Sequence, residues 1–268
     1  MYKIVTIDMD GTLLKSDKTI SDFTKETLRQ VRNRGTKIVL ASGRPIAGIQ
    51  YYLDELNLTS KDDYVISFNG ALVRNVSTKK IIAHTVLHGQ DLLDIYELSK
   101  TLGVNMHAFS NQGCITTCLT KYSELEGTMN KIPVNIIDYN IIKPDDEIIK
   151  IMLVDEPDKL QQAINKLPKE LYNKYTIVRS APFFLEFLNK NANKGVALQK
   201  LAEHLNIPKE ETMAFGDAGN DEHMIKFAGM GIAMGNAFSE IKDVANYVTD
   251  SNDEDGVAKA LRKFILEE

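Results

Sequence analysis

An alternation of short apolar runs and amphipathic segments, which stops and later resumes, most limits how this chain can fold. Residues 3–7 form a β-rich run that leads into Asp8-Met9-Asp10-Gly11-Thr12; its length and composition predict a buried strand. Ser21 is placed to cap a helix that runs to Arg34 and closes at Gly35. Residues 37–41 are a second strand, followed by Ser42-Gly43-Arg44-Pro45, where Pro45 suits the first turn of the next helix. Residues 64–68 are a third strand, ended by the turn pair Asn69-Gly70. Strand, helix, strand, helix, strand is the order of a doubly wound α/β fold, a parallel sheet with helices on its faces.

From Ala71 the order changes. Residues 71–74 and 80–83 form a hairpin pattern, and 90–102 a helix. Residues 104–109 and 114–119 are adjacent strands about an Asn111-Gln112-Gly113 turn. A strand at 148–154, a helix at 157–167 and strands at 175–178 and 183–188 complete a mixed α+β stretch. Residues 120–146 carry no readable pattern. After Asn193-Lys194-Gly195 the first grammar returns, with a helix at 196–205 and a strand at 212–215. That strand ends at Gly216-Asp217-Ala218-Gly219-Asn220-Asp221. A short helix, a strand at 231–233 and a last helix near 256–266 follow. The expected organisation is a discontinuous α/β core, residues 1–83 and 189–268, with an α+β module inserted at 84–188. A length of 268 residues, between one and two domains at about 150 residues each, suits a split core better than two domains in series.

Charge removes whole classes of partner. Lys and Arg number 32 against 37 Asp and Glu, a net charge of −5. The basic footprint of a nucleic-acid binder is missing, as is a polybasic membrane patch. No apolar run reaches the ~18 residues of a membrane span. The N-terminal residues lack the basic and apolar regions of a signal peptide, so a cytoplasmic protein is expected. Cys114 and Cys118 are too few for a disulfide framework, and no His or Cys completes a zinc set around them. His84 and His88 are four apart, but the residues between them are strand-like. Gly216-x-x-Gly219 lacks the third glycine of a dinucleotide fingerprint.

Ligands of open α/β sheets bind beyond the carboxyl ends of the strands. Four polar clusters fall at such ends or at a helix start: Asp8/Asp10, Ser42-Gly43, Lys194 and Asp217/Asn220/Asp221. Convergence would crowd four carboxylates, which a divalent cation resolves; oxygen donors favour Mg²⁺. Acids with Mg²⁺, one lysine and a serine hydroxyl make a site for a phosphoryl group. One carboxylate can attack phosphorus, while a second protonates the leaving alcohol and then activates water. Asp8 and Asp10 supply that pair, and Gly11 permits a turn that aims both at one point.

Asp8-Met9-Asp10-Gly11-Thr12-Leu13-Leu14 resembles the first motif of the haloacid dehalogenase superfamily of phosphohydrolases. Ser42, Lys194 and Gly216-Asp217-x-x-Asn220-Asp221 are similar to its second, third and fourth motifs, in the same order. Asn69-Gly70-Ala71 and Glu254-Asp255-Gly256-Val257-Ala258 resemble signatures of the Cof-type, class IIB subfamily. The resemblance implies Asp8 as nucleophile and Mg²⁺ ligand, and Asp10 as general acid/base with its backbone carbonyl on the metal. It implies Ser42, Lys194 and the Met9 and Gly43 amides as phosphoryl contacts, with Asn220 beside them. Asp217 is the implied metal ligand, and Asp221 orients the metal shell or Lys194. Arg44, Asn69 and, in the inserted cap, Arg179 are candidate substrate contacts. An Asp at position 10 implies a phosphatase or mutase, since the dehalogenases and transport ATPases of the superfamily lack it. The implied activity is hydrolysis of small phosphorylated metabolites, sugar phosphates foremost, by a monomer or homodimer. A sugar phosphomutase and a non-catalytic phosphate-binding regulator are the rival readings.

Overall fold

The computed structural model describes residues 2–110 and 113–267. The turn expected at Asn111 and Gln112 lies outside these residues. The chain divides into two compact units, one formed by the residues up to His84 together with those from Asn193 onward, the other by Thr85–Ala192.

The first unit opens with β1 (Ile4–Asp8), α1 (Asp22–Asn33), β2 (Lys37–Ala41), α2 (Ile46–Glu55) and β3 (Tyr64–Ser67). A hairpin of β4 (Leu72–Asn75) and β5 (Ile81–His84) follows. All of β1 and β3 is buried, as expected of strands covered on both faces. Strand β1 runs one residue further than its composition indicates, because Asp8 pairs with Ala41. Helix α1 starts where Ser21 Oγ accepts the Thr24 N–H at 3.0 Å. It buries Thr24, Thr27, Leu28 and Val31, the i, i+3, i+4, i+7 stripe of a helix packed on a sheet.

The inserted unit holds β6 (Leu87–His88), α3 (Gly89–Leu102), β7 (Asn105–Ser110), β8 (Gly113–Thr116), α4 (Lys121–Asn130) and β9 (Val134–Ile136). It continues with β10 (Glu147–Ile148), β11 (Lys150–Val154), α5 (Pro157–Asn165), α6 (Leu171–Lys174), β12 (Tyr175–Ala181) and β13 (Phe184–Asn189). Its main sheet has the order β12-β13-β11-β7-β8-β9, antiparallel except for the β8–β9 pair. The strand expected at 148–154 is two strands: β10 pairs with β6, while β11 lies between β13 and β7. Helix α4 and strand β9 occupy the stretch that carried no pattern. The helix buries Tyr122, Ser123, Glu126 and Asn130, a mostly polar set, so hydrophobic periodicity does not reveal it.

The first unit resumes with α7 (Lys194–His204), β14 (Thr212–Gly216), α8 (Glu222–Phe227), β15 (Met230–Ala233), α9 (Ser239–Val244), β16 (Tyr247–Val248) and α10 (Gly256–Leu261). Its sheet has the order β16-β15-β14-β1-β2-β3-β4-β5. Strands β16 through β3 in that order are parallel, and β4 and β5 form an antiparallel edge. One face packs Val5, Ile7, Leu40 and Val65 with Leu28 and Val31 of α1. The other packs Ile4, Val39, Ile66 and Ala214 with Ala197, Leu198 and Leu201 of α7. Central β1 lies between β14 and β2, so three neighbouring strands deliver their carboxyl ends side by side. Among the described residues no helix is long and apolar enough to cross a membrane.

Candidate active site

Parallel pairing fixes which side chains meet. Ile7 lies beside Phe215, and Asp8 beside Ala41. Asp8, Asp217 and Ser42 therefore leave the sheet at the same end, from β1, β14 and β2. Lys194 opens α7, whose N-cap Asn193 accepts the Val196 N–H at 2.9 Å.

Lys194 is fully buried. Its Nζ donates to Asp8 Oδ1 at 2.5 Å and to Asp221 Oδ1 at 2.6 Å. The other oxygen of Asp221 accepts the backbone N–H groups of Asp217 and Ala218 at 3.0 and 3.1 Å. Thr12 Oγ1 donates to Asp217 Oδ1 at 2.8 Å. One carboxylate oxygen from each of Asp8, Asp217 and Asp221 lies within 4.8 Å of the others. Gly11 makes this approach possible. Its φ is +87°, and a Cβ there would sit 2.5 Å from Asp217 Oδ2.

The remaining expected residues surround this group. Asn220 Nδ2 donates to Asn69 Oδ1 at 3.0 Å, and Asn69 lies against Gly43. The Asn69 N–H reaches the Ser42 carbonyl at 3.0 Å, and Ser42 Oγ accepts the Arg44 N–H at 3.1 Å. Met9 is buried, and its carbonyl accepts the Thr12 and Leu14 N–H groups. At Gly70, φ is +95° and a Cβ would lie 2.2 Å from the Asn193 carbonyl oxygen. The turn after β3 is thus pressed against the start of α7, which carries Lys194.

Asp10 does not join the other three carboxylates. Arg44 holds it through Nε at 2.9 Å and Nη2 at 2.7 Å, and Lys18 Nζ donates to it at 2.8 Å. Two cations outside the buried group hold the Asp10 side chain, which is 41% exposed, and this corrects the expectation that four carboxylates crowd together. The carboxylates gather as three, not four. Arg179, in the inserted unit, is engaged locally by Gln161 and by the Pro157 and Pro182 carbonyls. Thr12 and Lys18 are partners the sequence reading did not assign. Thr12 stands inside the first motif and could have been noticed; nothing local marks Lys18.

Burial pushes the Asp8 carboxyl well above the ordinary range, and the nearby Asp221 adds to this against the pull of Lys194. Asp217 is raised by burial too, with Thr12 opposing. Burial alone would lower Lys194, but Asp221 and Asp8 outweigh it and raise it. Burial also acts to raise Asp10, yet hydrogen bonds from Arg44 and Lys18 prevail and hold it below the usual carboxylate value. With all three carboxylates ionised, one ammonium leaves two negative charges uncompensated in a largely buried place. A divalent cation would neutralise them, and an all-oxygen donor set without Cys or His suits a hard ion.

Residues 5–261 match the family model of haloacid dehalogenase-like hydrolases. A Bacillus subtilis (strain 168) protein, YxeH, whose name proposes a phosphatase, is 42% identical over 99% of both chains. A second protein of that strain, a 5-amino-6-(5-phospho-D-ribitylamino)uracil phosphatase, is 32% identical over 98% of this chain and 96% of its own. Among solved structures, a HAD subclass IIB sugar phosphatase superposes with a TM-score of 0.77 at 26% identity, covering 98% of each chain.

Proposed function

Because the chain belongs to the haloacid dehalogenase-like hydrolases and is a phosphatase, we propose that it hydrolyses small phosphorylated metabolites, sugar phosphates foremost, through an aspartyl-phosphate on Asp8. The observation that carries this reading is the buried Lys194 bridging Asp8 and Asp221 beside Asp217. In the proposed reaction the Asp8 carboxylate attacks phosphorus as the bond to the alcohol oxygen breaks. Asp10, released from Arg44 and Lys18 and having taken a proton from solvent, gives it to that oxygen, so the alcohol leaves neutral. Water then attacks phosphorus, Asp10 takes its proton, and the bond to Asp8 breaks to release phosphate. Lys194, the Ser42 hydroxyl and the Met9 and Gly43 amides hold the phosphoryl oxygens, with Asn220 beside them. Asn69 and Arg44 are assigned to the substrate side of the same site.

Asp8 and Asp217 would hold Mg²⁺ by their side chains and Asp10 by its main-chain carbonyl. Asp221, whose oxygens already serve Lys194 and two backbone N–H groups, would act on the metal shell indirectly. The ion would offset the charge of the phosphoryl group and of the crowded acids. Within this reading the core is 1–83 with 189–268, residues 84–188 are the inserted cap, and the protein works in the cytoplasm. The preference for sugars is supported by the named activity of the subclass IIB neighbour; the ribitylaminouracil phosphatase also removes phosphate from a polyol chain, by its name.

The test is phosphate release from an aryl phosphate and from a panel of sugar phosphates, after chelation and after Mg²⁺ is restored. Activity is expected to vanish on chelation, return with Mg²⁺, and be lost in Asp8→Asn. Turnover retained in Asp8→Asn would overturn the nucleophile, and full activity in chelator would overturn the metal.

A further inference from the structure

The turn that carries Asp10 is built in an unusual way. Its N–H groups are spent inside the turn: Leu13 bonds the Asp8 carbonyl, and Thr12 and Leu14 bond that of Met9. The carbonyls of Gly11 and Leu14 have partners from outside the turn. Each is taken by an asparagine amide from the far end of the chain. Asn236 Nδ2 donates to the Gly11 carbonyl at 2.8 Å, and Asn252 Nδ2 to that of Leu14 at 2.8 Å. The two asparagines are themselves joined, since the Asn252 N–H donates to Asn236 Oδ1 at 3.0 Å. One residue on, Asp253 accepts both the N–H and the hydroxyl of Ser16, at 2.8 and 2.6 Å.

We propose that Asn236 and Asn252 are positioning residues that set where Asp10 sits relative to Asp8. Asp8 needs no such help. It ends a buried central strand paired on both sides and is tied to Lys194. Asp10 lies two residues beyond, the one exposed side chain in a turn that otherwise buries Met9, Thr12, Leu13 and Leu14, and its carboxylate is held by Lys18 and Arg44. The turn is closed on itself by its own N–H groups and by a bridge between Asp10 and Leu14; the Gly11 and Leu14 carbonyls tie that closed turn to the loops that carry Asn236 and Asn252. A clamp on those two carbonyls holds the backbone of Asp10 while leaving its side chain free to leave Arg44 and Lys18 for a leaving group. Displacement of a reacting group by about 1 Å costs on the order of 10²-fold, so two hydrogen bonds at this point reach the rate. This inference rests on the assignment of Asp10 as general acid given above.

The test uses the full-length enzyme with Mg²⁺ and two substrates. An aryl phosphate with an acidic phenol leaves without a proton; a hexose 6-phosphate needs one. In Asn236→Ala and Asn252→Ala, kcat on the hexose phosphate is expected to fall about 30-fold and on the aryl phosphate less than about 3-fold, with KM for both unchanged. Asp10→Ala is the reference and should show the same split, larger. An equal loss on both substrates, or no loss on either, would overturn the positioning role. If Asp10→Ala itself shows no split, the general-acid assignment has failed and the inference falls with it. Should Asn252→Ala not fold, Asn252→Leu keeps the size and the main-chain N–H, removes the donor to Leu14 without adding charge, and the same ratio decides.

Discussion

Each of the two units buries one lysine between two acids, and they do it differently. In the first unit Lys194 holds Asp8 and Asp221 at 2.5 and 2.6 Å, with Asp217 as a third carboxylate close by. In the inserted unit Lys150 faces Glu186 at 3.2 Å and Glu126 at 3.9 Å, over the Phe109 ring. The second group is one charge from neutral, and burial raises the Glu126 carboxyl, so a single proton on Glu126 balances it. The first, with all three carboxylates ionised, is two charges from neutral, and in the proposed reaction a proton on Asp8 would disable its attack. Burial of a lysine is common to both; the uncompensated charge is not. The larger surplus of acid around Lys194 is what the proposed metal and phosphoryl site would use, and the Lys150 group has no such surplus.

The contrast can be broken most directly at the two lysines. Lys194→Met should abolish turnover, by more than about 10³-fold, and destabilise the fold by about 3–5 kcal/mol, since it strands two buried acids. Lys150→Met should cost a similar amount of stability in a denaturant titration but leave kcat per folded molecule within about 3-fold, as expected of a group outside the chemistry. A large kcat loss in Lys150→Met would erase the distinction. Next in size, Asp217→Asn should raise the Mg²⁺ concentration for half-maximal rate by at least about 10–100-fold. Metal titration of the folded variant reads this directly, and an unchanged midpoint would remove Asp217 from the ligand set.

The smallest effect concerns pH. His107 of β7 is fully buried, with Nε2 3.3 Å from Met152 Sδ, and Nδ1 has no hydrogen-bond partner. Burial, with Lys150 near, lowers it from 6.5 to about 3. The unfolded chain therefore binds a proton first as pH falls. The contribution of His107 is fully present above pH 6.5 and is lost progressively as pH falls toward 3, with a limiting slope of about 1.4 kcal/mol per unit. Relative to the parent, His107→Leu should lose this slope between pH 6.5 and 5. An identical pH dependence in the two proteins would show the histidine to be accessible to protons in the fold.

How much of this was legible depended on whether the signal was local. Strand β2 was read at its observed limits, and α1 within a residue at each end, because β-branched runs, Ser21 and Gly35 act through their own neighbourhood. The motif residues were legible as types and as an order. Their meeting was inferred from where parallel strands deliver their ends. What escaped had no local sign. Helix α4 buries polar side chains, so its face is not hydrophobic. The break at Ile149 exists because β10 and β11 find different partners. The pull of Lys18 and Arg44 on Asp10 depends on side-chain reach, which spacing along the chain does not encode. The paired asparagines at 236 and 252 look like ordinary loop residues until their distant carbonyls are seen.

The central position of β1 also governs how the molecule comes into being. Its neighbour β14 is more than 200 residues away along the chain, with Ile4 paired to Thr212. A growing chain at about 5–20 residues per second leaves β1 exposed on one edge for ~10 s or more while the inserted unit, whose own contacts are contiguous, is made. The order of synthesis thus favours completion of Thr85–Ala192 first, and no nascent chain shorter than Asp221 can possess the Lys194 bridge. The Lys194 bridge can form only after more than four-fifths of the chain has been made, although Asp8, one of its two ends, is among the first residues made.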